Sequence, residues 1–269
     1  MRVRIASLGM YDAPWLQAAN DRLWSALAAI LRDRGLKDIP STLDRRPAPE
    51  LWPAPNLLMA QTCGYPLRTS LRDRVRYVAT PSYAWPCVER GRHCSLVVVA
   101  AGSPVEEIAE LRGQVVAMNG PDSNSGMNLL RALIAPHAGG RPFFARVLPT
   151  GGHLASMAAV AQGYAGVAAI DAITYGLTAR HRPDLTEGLR VLAVSPSTPG
   201  LPLITSLATE AAELGVLRAA LRDLMADPAA AEALASLGIA GFEVLDESAY
   251  DDILALEAQA VALGYPVLA

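Results

Sequence analysis

The sequence lacks the features of a nucleic-acid-binding or membrane-spanning protein. Of its 269 residues, 23 are Lys or Arg and 26 are Asp or Glu, which leaves a net charge of −3 with no basic cluster. This charge balance argues against a nucleic-acid partner. No apolar stretch approaches the roughly 20 residues that span a bilayer, so we expect no membrane insertion.

Cysteine is scarce, and its spacing does not suit a metal site. Cys63, Cys87 and Cys94 cannot all pair with one another, and their spacing fits no zinc pattern. We therefore expect no metal and no cofactor. We also expect free thiols, since a Cys87–Cys94 bridge would need an oxidising compartment. The sequence motifs of common hydrolases, metalloproteases and phosphate-binding loops are absent as well.

The first residues bear on where the protein acts. Residues 1–5 lead directly into a predicted strand, without the long apolar segment of a signal peptide. As the sequence stands, we expect a cytoplasmic location. A removed leader would instead make the protein periplasmic.

Predicted strands alternate with predicted helices along most of the chain, and 52% of the residues are hydrophobic. The predicted strands comprise residues 4–8, 56–60, 75–79, 95–101, 115–118, 144–148, 166–170 and 190–194. The predicted helices comprise residues 14–34, 104–111, 126–135, 153–162, 171–181, 207–226, 228–236 and 247–262. Such alternation predicts parallel sheets with helices on both faces.

Two extended segments, near residues 95–101 and 195–205, are candidates for crossings between two lobes. Lobe 1 would then comprise residues 1–97 and 205–269, and lobe 2 residues 98–204. Two such connections suit a hinge that closes on a ligand.

Three predicted strand-to-helix turns in lobe 2 carry polar side chains. Ser123, Asn124 and Ser125 precede a helix, where they can cap its first turn and where its unpaired amides attract an anion. His153 begins the helix after the next strand, and Asp171 directly follows strand 166–170. Because these turns meet at one edge of a parallel sheet, together they form a candidate binding site. Each residue taken alone also fits an ordinary helix cap.

Lobe 1 offers matching turns. Tyr11 follows the first predicted strand, and Gln61, Thr62 and Tyr65 follow the strand at 56–60. Their amide and hydroxyl groups can hydrogen-bond a ligand, although Tyr65 also fits a simple packed turn.

These turns resemble those of a known family. The segments at 61–66 (Gln-Thr-Cys-Gly-Tyr-Pro), 122–126 (Asp-Ser-Asn-Ser-Gly) and 168–171 (Ala-Ala-Ile-Asp), together with His153, carry the resemblance. They are similar to the phosphate, phosphite and phosphonate substrate-binding proteins of ABC transporters. His93 stands where relatives often have a tyrosine before the crossing strand.

The resemblance covers most of the chain and implies a fold and a set of ligand contacts. The fold would be the two-lobed α/β type II periplasmic-binding-protein fold, each lobe a mostly parallel sheet flanked by helices, joined by two hinge crossings. Oxyanion binding would fall to Ser123, Asn124 and Ser125. Tyr65, His153 and Asp171 would be further ligand contacts.

The implied function is binding of a small anionic solute, phosphonate- or phosphate-like, in the cleft between the lobes. The protein would serve as the substrate-binding component of a transporter, with a permease as partner, or as a related sensor. The alternative is an enzyme on the same fold, similar to chorismate dehydratases or thiamine-pyrimidine synthases. Cys63, His153 and Asp171 would then supply nucleophile and acid–base groups.

Overall fold

The structure of the protein, a computed structural model, describes residues 3–85 and 88–269. Cys87, and with it the Cys87–Cys94 pairing considered above, lies outside the described residues, while Cys63 and Cys94 are buried. The chain forms two compact units. Unit 1 comprises the described parts of Met1–Ala84, Glu89–Gly91 and Gly200–Ala249, and unit 2 those of Trp85–Val88, Arg92–Pro199 and Tyr250–Ala269.

Strands and helices alternate through much of the chain, as the sequence pattern predicts. The strands are β1 (Ile5–Ser7), β2 (Leu57–Gln61), β3 (Val75–Tyr83), β4 (Arg92–His93), β5 (Ser95–Ala100), β6 (Val115–Met118), β7 (Arg146–Pro149), β8 (Val167–Asp171), β9 (Leu189–Val194), β10 (Thr198–Pro199), β11 (Leu203–Ser206) and β12 (Ile239–Glu243). The helices are α1 (Gln17–Asp33), α2 (Ala48–Leu51), α3 (Gly64–Arg68), α4 (Leu129–Ala138), α5 (His153–Ala161), α6 (Ala172–His181), α7 (Ala211–Leu224), α8 (Ala231–Leu237) and α9 (Asp251–Ala262). Shorter 3₁₀ turns cover Gly9–Tyr11, Ile108–Leu111, Pro183–Leu185 and Glu247–Tyr250, and a π-helical turn covers Asn124–Asn128.

The helix predicted over 104–111 is wrong in its length and type. Only the 3₁₀ turn Ile108–Leu111 forms, because Glu107 adopts an extended conformation. The Glu110 carboxylate accepts the amides of Glu106 and Glu107, at 2.7 and 3.3 Å, and so occupies donors at the start of this turn. The pattern also missed β12, whose apolar run is interrupted by Gly241 and which forms by pairing with β3.

Unit 1 contains a sheet with the strand order β1-β2-β11-β3-β12. In this sheet β1, β2 and β3 share one direction, and β11 and β12 run the other way. Helix α1 buries Leu23, Leu27 and Leu31, which recur every four residues on one face, and exposes Asp21 and Arg22. The turns after the parallel strands β1 and β2 fall at one edge of the sheet.

Unit 2 contains a sheet with the order β7-β6-β8-β5-β9. Strand β6 pairs in parallel with β7 and β8, whereas β5 is antiparallel to both β8 and β9. Four strands therefore share one direction and β5 alone is reversed. The sheet packs on α5 through a core that includes Val98, Met157, Val160 and Ala168, all at most 1% exposed.

The two units divide the chain at positions that differ from the sequence-based lobes. Residues 92–97 and 250–269, assigned to lobe 1 from the sequence, cluster with unit 2. Strand β5 is hydrogen-bonded on both sides within the unit 2 sheet, and the Phe143 amide donates to the Ala269 carbonyl at 2.7 Å. Local patterns do not reveal such long-range bonds. Hinge motion at the two crossings stays a prediction.

The unit 2 core offers a direct test of this packing. Met157 is 1% exposed, and we expect Met157→Ala to lower the free energy of unfolding. The expected loss is about 2–5 kcal/mol, because the missing side chain leaves a cavity. Val191→Ala is the control at a 41% exposed position on β9, with an expected change within about 0.5 kcal/mol. Urea unfolding measures both, and equal losses would contradict this assignment of the core.

Candidate functional site

The polar turns of unit 2 meet at one edge of its sheet. Because β6, β7 and β8 are parallel, the turns that follow them lie at the same edge. Strand β5 runs the opposite way, and its first residue, Ser95, is paired with Asp171 at the end of β8. Residues just before β5 therefore reach this edge too. The topology gathers four polar side chains there: His93, Ser125, His153 and Asp171.

Ser123 caps the helical segment that begins at this edge. Its hydroxyl oxygen accepts a hydrogen bond from the Gly126 amide at 2.9 Å. Its carbonyl oxygen accepts one from the Asn128 amide at 3.1 Å, which makes the first turn π-helical before α4 continues. The capping expected of the Ser-Asn-Ser turn is thus performed by Ser123. Ser125 keeps its hydroxyl for another contact.

Gly126 is required by a close approach within the site. A Cβ atom at this position would lie 1.8 Å from Oδ1 of Asn119 and 3.3 Å from Cε1 of His153. Any side chain here would displace Asn119 from its place beside His153. Asn119, the residue that follows β6, was missed by the sequence interpretation.

His153 joins the first and second turns. Its Nε2 atom lies 3.0 Å from the Ser125 hydroxyl oxygen and 3.4 Å from Nδ2 of Asn119. Burial lowers the pKa of His153 because it disfavours the charged ring, and the nearby Asp171 carboxylate only partly opposes this effect. The ring is therefore neutral near pH 7, with one nitrogen able to accept a hydrogen bond.

Asp171 combines a structural and an electrostatic role. Its Oδ1 atom accepts the Thr174 amide at 2.8 Å and caps α6, and its Oδ2 atom lies 2.7 Å from Nδ1 of His93. Burial would raise the pKa of Asp171, but the hydrogen bonds that the carboxylate accepts from His93 and from the Thr174 amide hold it below its usual value. The carboxylate is therefore ionised, although it is only 2% exposed.

The sequence interpretation did not assign a role to His93, which is 2% exposed and pairs with Asp171. The available signal was its position two residues before β5, at the edge where the three turns meet. Asn124, a predicted ligand contact, is fully buried, and its Nδ2 atom donates to Thr198 Oγ1 at 2.9 Å. The structure therefore brings Ser125, His153 and Asp171 together, and adds His93 as the partner of Asp171.

The predicted residues of unit 1 follow β1 and β2, and two of them, Tyr11 and Gln61, contact Tyr83. Tyr11 makes an edge-to-face contact with Tyr83, with ring centroids 5.5 Å apart. The Gln61 amide nitrogen lies 3.4 Å from the Tyr83 hydroxyl and 3.3 Å from the Leu201 carbonyl. Thr62 is buried in the turn after β2, and Tyr65, half-buried, lies in α3. Their role as ligand contacts stays a prediction.

The described residues hold no candidate metal centre, and the residues of the enzyme alternative divide between the two units. Residues 3–85 and 88–269 hold no cluster of His, Cys, Asp and Glu arranged to bind a metal ion. Cys63 lies in unit 1, at the residue that precedes α3. Within unit 2, the side chain that pairs with Asp171 is His93, whereas His153 contacts Ser125.

Several solved structures share this fold. A binding-protein component of an ABC phosphonate transporter from Pseudomonas aeruginosa has a TM-score of 0.79 at 16% identity, covering 97% of this chain and 87% of that chain. PhnD1 from Prochlorococcus marinus, solved in complex with methylphosphonate, has a TM-score of 0.77 at 13% identity, with 96% and 97% covered. XAC2383 from Xanthomonas citri, solved bound to ATP, has a TM-score of 0.71 at 17% identity, with 97% of both chains covered. The likeness confirms the predicted α/β periplasmic-binding-protein fold.

A protein-family model then identifies the family within this fold. The model, described as the periplasmic substrate-binding protein of phosphonate ABC transporters, matches residues 69–250. Because the match covers more than half of the chain, the chain belongs to this family. The family consists of substrate-binding components rather than enzymes, which confirms the binding interpretation over the enzyme alternative.

No curated protein matches this sequence. None of the helices formed by the described residues is long and apolar enough to cross a membrane.

The cap at Ser123 gives a prediction about stability. Ser123→Ala removes the side-chain acceptor of the Gly126 amide, and Ser123 is only 7% exposed. We expect the free energy of unfolding to fall by about 1 kcal/mol. Ser123→Thr keeps an acceptor hydroxyl and is the control, with a much smaller expected loss. Thermal unfolding without ligand measures both, and an unchanged stability in Ser123→Ala would exclude the cap.

The lowered pKa of His153 gives a prediction about acid sensitivity. An unfolded histidine binds a proton near pH 6.5, whereas folded His153 does so only at lower pH. The unfolded chain then binds more protons than the folded one, so stability falls as the pH drops below about 6.5. The lowered pKa of Asp171 removes stability only below the ordinary value of 3.8. The window between about pH 6.5 and 4.5 therefore reports on His153.

We expect His153→Gln to flatten the decline of the unfolding temperature across that window. His137→Gln, at an exposed position near the end of α4, is the matched control and should keep the wild-type slope. Calorimetry at several pH values measures this dependence. A wild-type slope that persists in His153→Gln would contradict the assignment.

Proposed function

We propose that this chain binds a small oxyanion of the phosphonate or phosphate class at the turn Ser123–Asn124–Ser125. As in its family, the bound solute would be delivered to the permease of an ABC transporter. The observation that carries the proposal is the Ser125 hydroxyl, 3.0 Å from His153 Nε2, at the start of the helical segment that leads into α4. Helix starts present amides to anions, and a hydroxyl beside them adds a further donor.

When an anion binds, Ser125 and His153 can exchange the donor and acceptor roles in the hydrogen bond between them. Ser125 has one hydroxyl proton, which it gives either to His153 or to a ligand oxygen. When the proton points to the ligand, the Ser125 oxygen can accept a hydrogen bond from Nε2–H of His153. A neutral ring provides this donor by a change of tautomer, without taking up a charge.

The charges around the site favour a singly charged ligand. The ionised Asp171 carboxylate is at the same sheet edge, and the hydrogen bonds of the Ser125 hydroxyl and of His153 Nε2 described above are with neutral groups. A hydrogen phosphonate monoanion suits such neutral donors better than a dianion does. Both oxygens of Asp171 already accept protein donors, so a direct contact between Asp171 and a ligand donor stays a prediction.

The remaining elements of the proposal follow from the family. PhnD1 from Prochlorococcus marinus was solved with methylphosphonate, which makes this compound the first ligand to test. Tyr11, Gln61, Thr62 and Tyr65 are proposed as further ligand contacts, supported by the resemblance of their turns. A periplasmic site of action is proposed for a form of the protein from which a leader has been removed.

Isothermal titration tests the proposal with methylphosphonate, inorganic phosphate, ATP and chloride. We expect methylphosphonate or phosphate to bind. If ATP binds more tightly than both, the proposed ligand class changes from a compact oxyanion to a nucleotide. If neither methylphosphonate nor phosphate binds, the proposal is overturned. Titrations at two pH values show whether the monoanion is the bound form.

Ser125→Ala tests the residue that carries the proposal. We expect a loss of about 1–3 kcal/mol in the free energy of binding, because a ligand oxygen loses its hydroxyl donor. Ser70→Ala, at an exposed position of unit 1, is the matched control and should bind like the wild type. Equal affinities for wild type and Ser125→Ala would remove Ser125 from the site.

A further inference from the structure

Five buried polar side chains form one continuous line of hydrogen bonds in unit 2. They are Arg131, Asn128, Asn124, His93 and Asp171, each at most 4% exposed. The line begins at α4 and passes through the turn Ser123–Asn124–Ser125 to the end of β8. We call it the polar line. The proposed function uses its Asn124 member but leaves the purpose of Asn128, Arg131 and His93 open.

The Arg131 end of the polar line orients both amide side chains. A guanidinium group only donates hydrogen bonds, so the atom of Asn128 that faces Nη2 of Arg131, at 2.7 Å, is the oxygen Oδ1. The nitrogen Nδ2 of Asn128 then faces two acceptors, Oδ1 of Asn124 at 3.1 Å and the Ile253 carbonyl at 3.0 Å. Asn124 must consequently present its nitrogen to the other side.

That nitrogen, Nδ2 of Asn124, lies 2.9 Å from Thr198 Oγ1 and 3.3 Å from Nε2 of His93. It carries two protons, one for each of these neighbours. The Nε2 atom of His93 must therefore hold a lone pair rather than a proton.

The Asp171 end of the polar line fixes the proton on the other ring nitrogen of His93. An ionised carboxylate only accepts hydrogen bonds, so Nδ1 of His93 must donate to Oδ2 of Asp171 across 2.7 Å. A neutral imidazole with a proton on Nδ1 has its lone pair on Nε2, where Asn124 donates. Donor-only Arg131 and acceptor-only Asp171 thus require one and the same direction for every bond between them.

We infer that His93 is a positioning residue, held as the neutral Nδ1–H tautomer, which anchors Asn124 and thereby the turn Ser123–Asn124–Ser125. The inference rests on the proposed function for its link to ligand binding. It also assigns a role to α9, because Asn128 donates to the Ile253 carbonyl and Arg131 forms an ion pair with Glu257 at 3.1 Å. Helix α9 therefore supports the turn Ser123–Asn124–Ser125, although it lies beyond the residues that the family model matches.

The tautomer is measured on the unmodified protein, without ligand, by nitrogen NMR of the histidine rings. We expect His93 to show a protonated Nδ1 and an unprotonated Nε2 at neutral pH. The opposite tautomer in the wild type would overturn the inference.

Two substitutions test the direction of the polar line. Asn124→Asp replaces the donor at His93 by an acceptor, so His93 should take up a second proton on Nε2. Asn128→Asp should have the same effect without touching His93. The new carboxylate would attract the nitrogen of Asn124, whose oxygen would turn to His93 Nε2. A second proton on His93 in Asn128→Asp is a result that a merely structural role would not produce.

Asn56→Asp, at a half-buried position of unit 1 where the amide donates to the Val3 carbonyl, is the control and should leave the His93 ring unchanged. Circular dichroism shows which variants fold. If both polar-line variants fold and His93 keeps a bare Nε2, the inference is overturned. The wild-type spectrum decides the tautomer even if a variant fails to fold.

Titration with methylphosphonate links the polar line to the ligand. We expect Asn128→Asp to weaken binding about tenfold, because the turn that carries Ser125 loses its anchor. An unchanged affinity, with His93 doubly protonated, would overturn the positioning role. If the wild type binds no methylphosphonate, the proposed function fails on its own, while the NMR result still decides the tautomer.

Discussion

The reversed direction of β5 is the constraint on which the candidate site depends. Strands β6, β7 and β8 end at one edge of the unit 2 sheet, and β5 begins at that same edge because it is antiparallel to β8. His93, two residues before β5, therefore reaches Asp171 at the end of β8. A β5 strand with the opposite direction would carry His93 to the far edge of the sheet. The hydrogen bonds of β5 to both β8 and β9 hold this direction in place.

The polar line occupies buried space at this edge that apolar side chains could also fill. Its benefit is that it fixes the orientation of the turn Ser123–Asn124–Ser125. A satisfied internal hydrogen bond contributes only about 0.5–1.5 kcal/mol, whereas a buried group left without a partner costs about 1–3 kcal/mol. The arrangement of donors and acceptors is consequently all-or-none. Turning the Asn124 amide would set donors against donors at Asn128. Apolar residues of similar size could fill this space, but they could not dictate which way the turn faces.

In the proposed oxyanion site, the ligand would meet neutral donors of the turn Ser123–Asn124–Ser125, which the polar line holds in place. Arg131 is one cation near this turn, and its guanidinium is engaged by Asn128, the Pro266 carbonyl and Glu257. It acts through the dipole of Asn128 rather than by direct charge attraction. Neutral donors, held in place before the ligand arrives, can recognise an oxyanion without the reorganisation that flexible lysines need. Such recognition agrees with the acidic balance of the whole chain, whose net charge is −3.

Much of this protein was predictable from local sequence. Apolar runs and helical periodicity predicted most strands and helices, since these patterns follow directly from backbone geometry. Local sequence also predicts the candidate site residues of unit 2, because they lie at turns between a strand and a helix. They are the Ser-Asn-Ser turn, His153 and Asp171. The resemblance of these turns then led to the family.

Other features were decided only by tertiary structure. The pairing of β5 between β8 and β9, the assignment of α9 to unit 2 and the His93–Asp171 contact all join residues that are far apart in the chain. Atomic geometry also decides that Ser123 caps the helical segment, whereas the Ser125 hydroxyl contacts His153. By itself the sequence determined where polar groups follow strands, because that requires only local periodicity. Only the tertiary structure decided which groups face each other and which atom donates, because strand direction and long-range hydrogen bonds have no local signature.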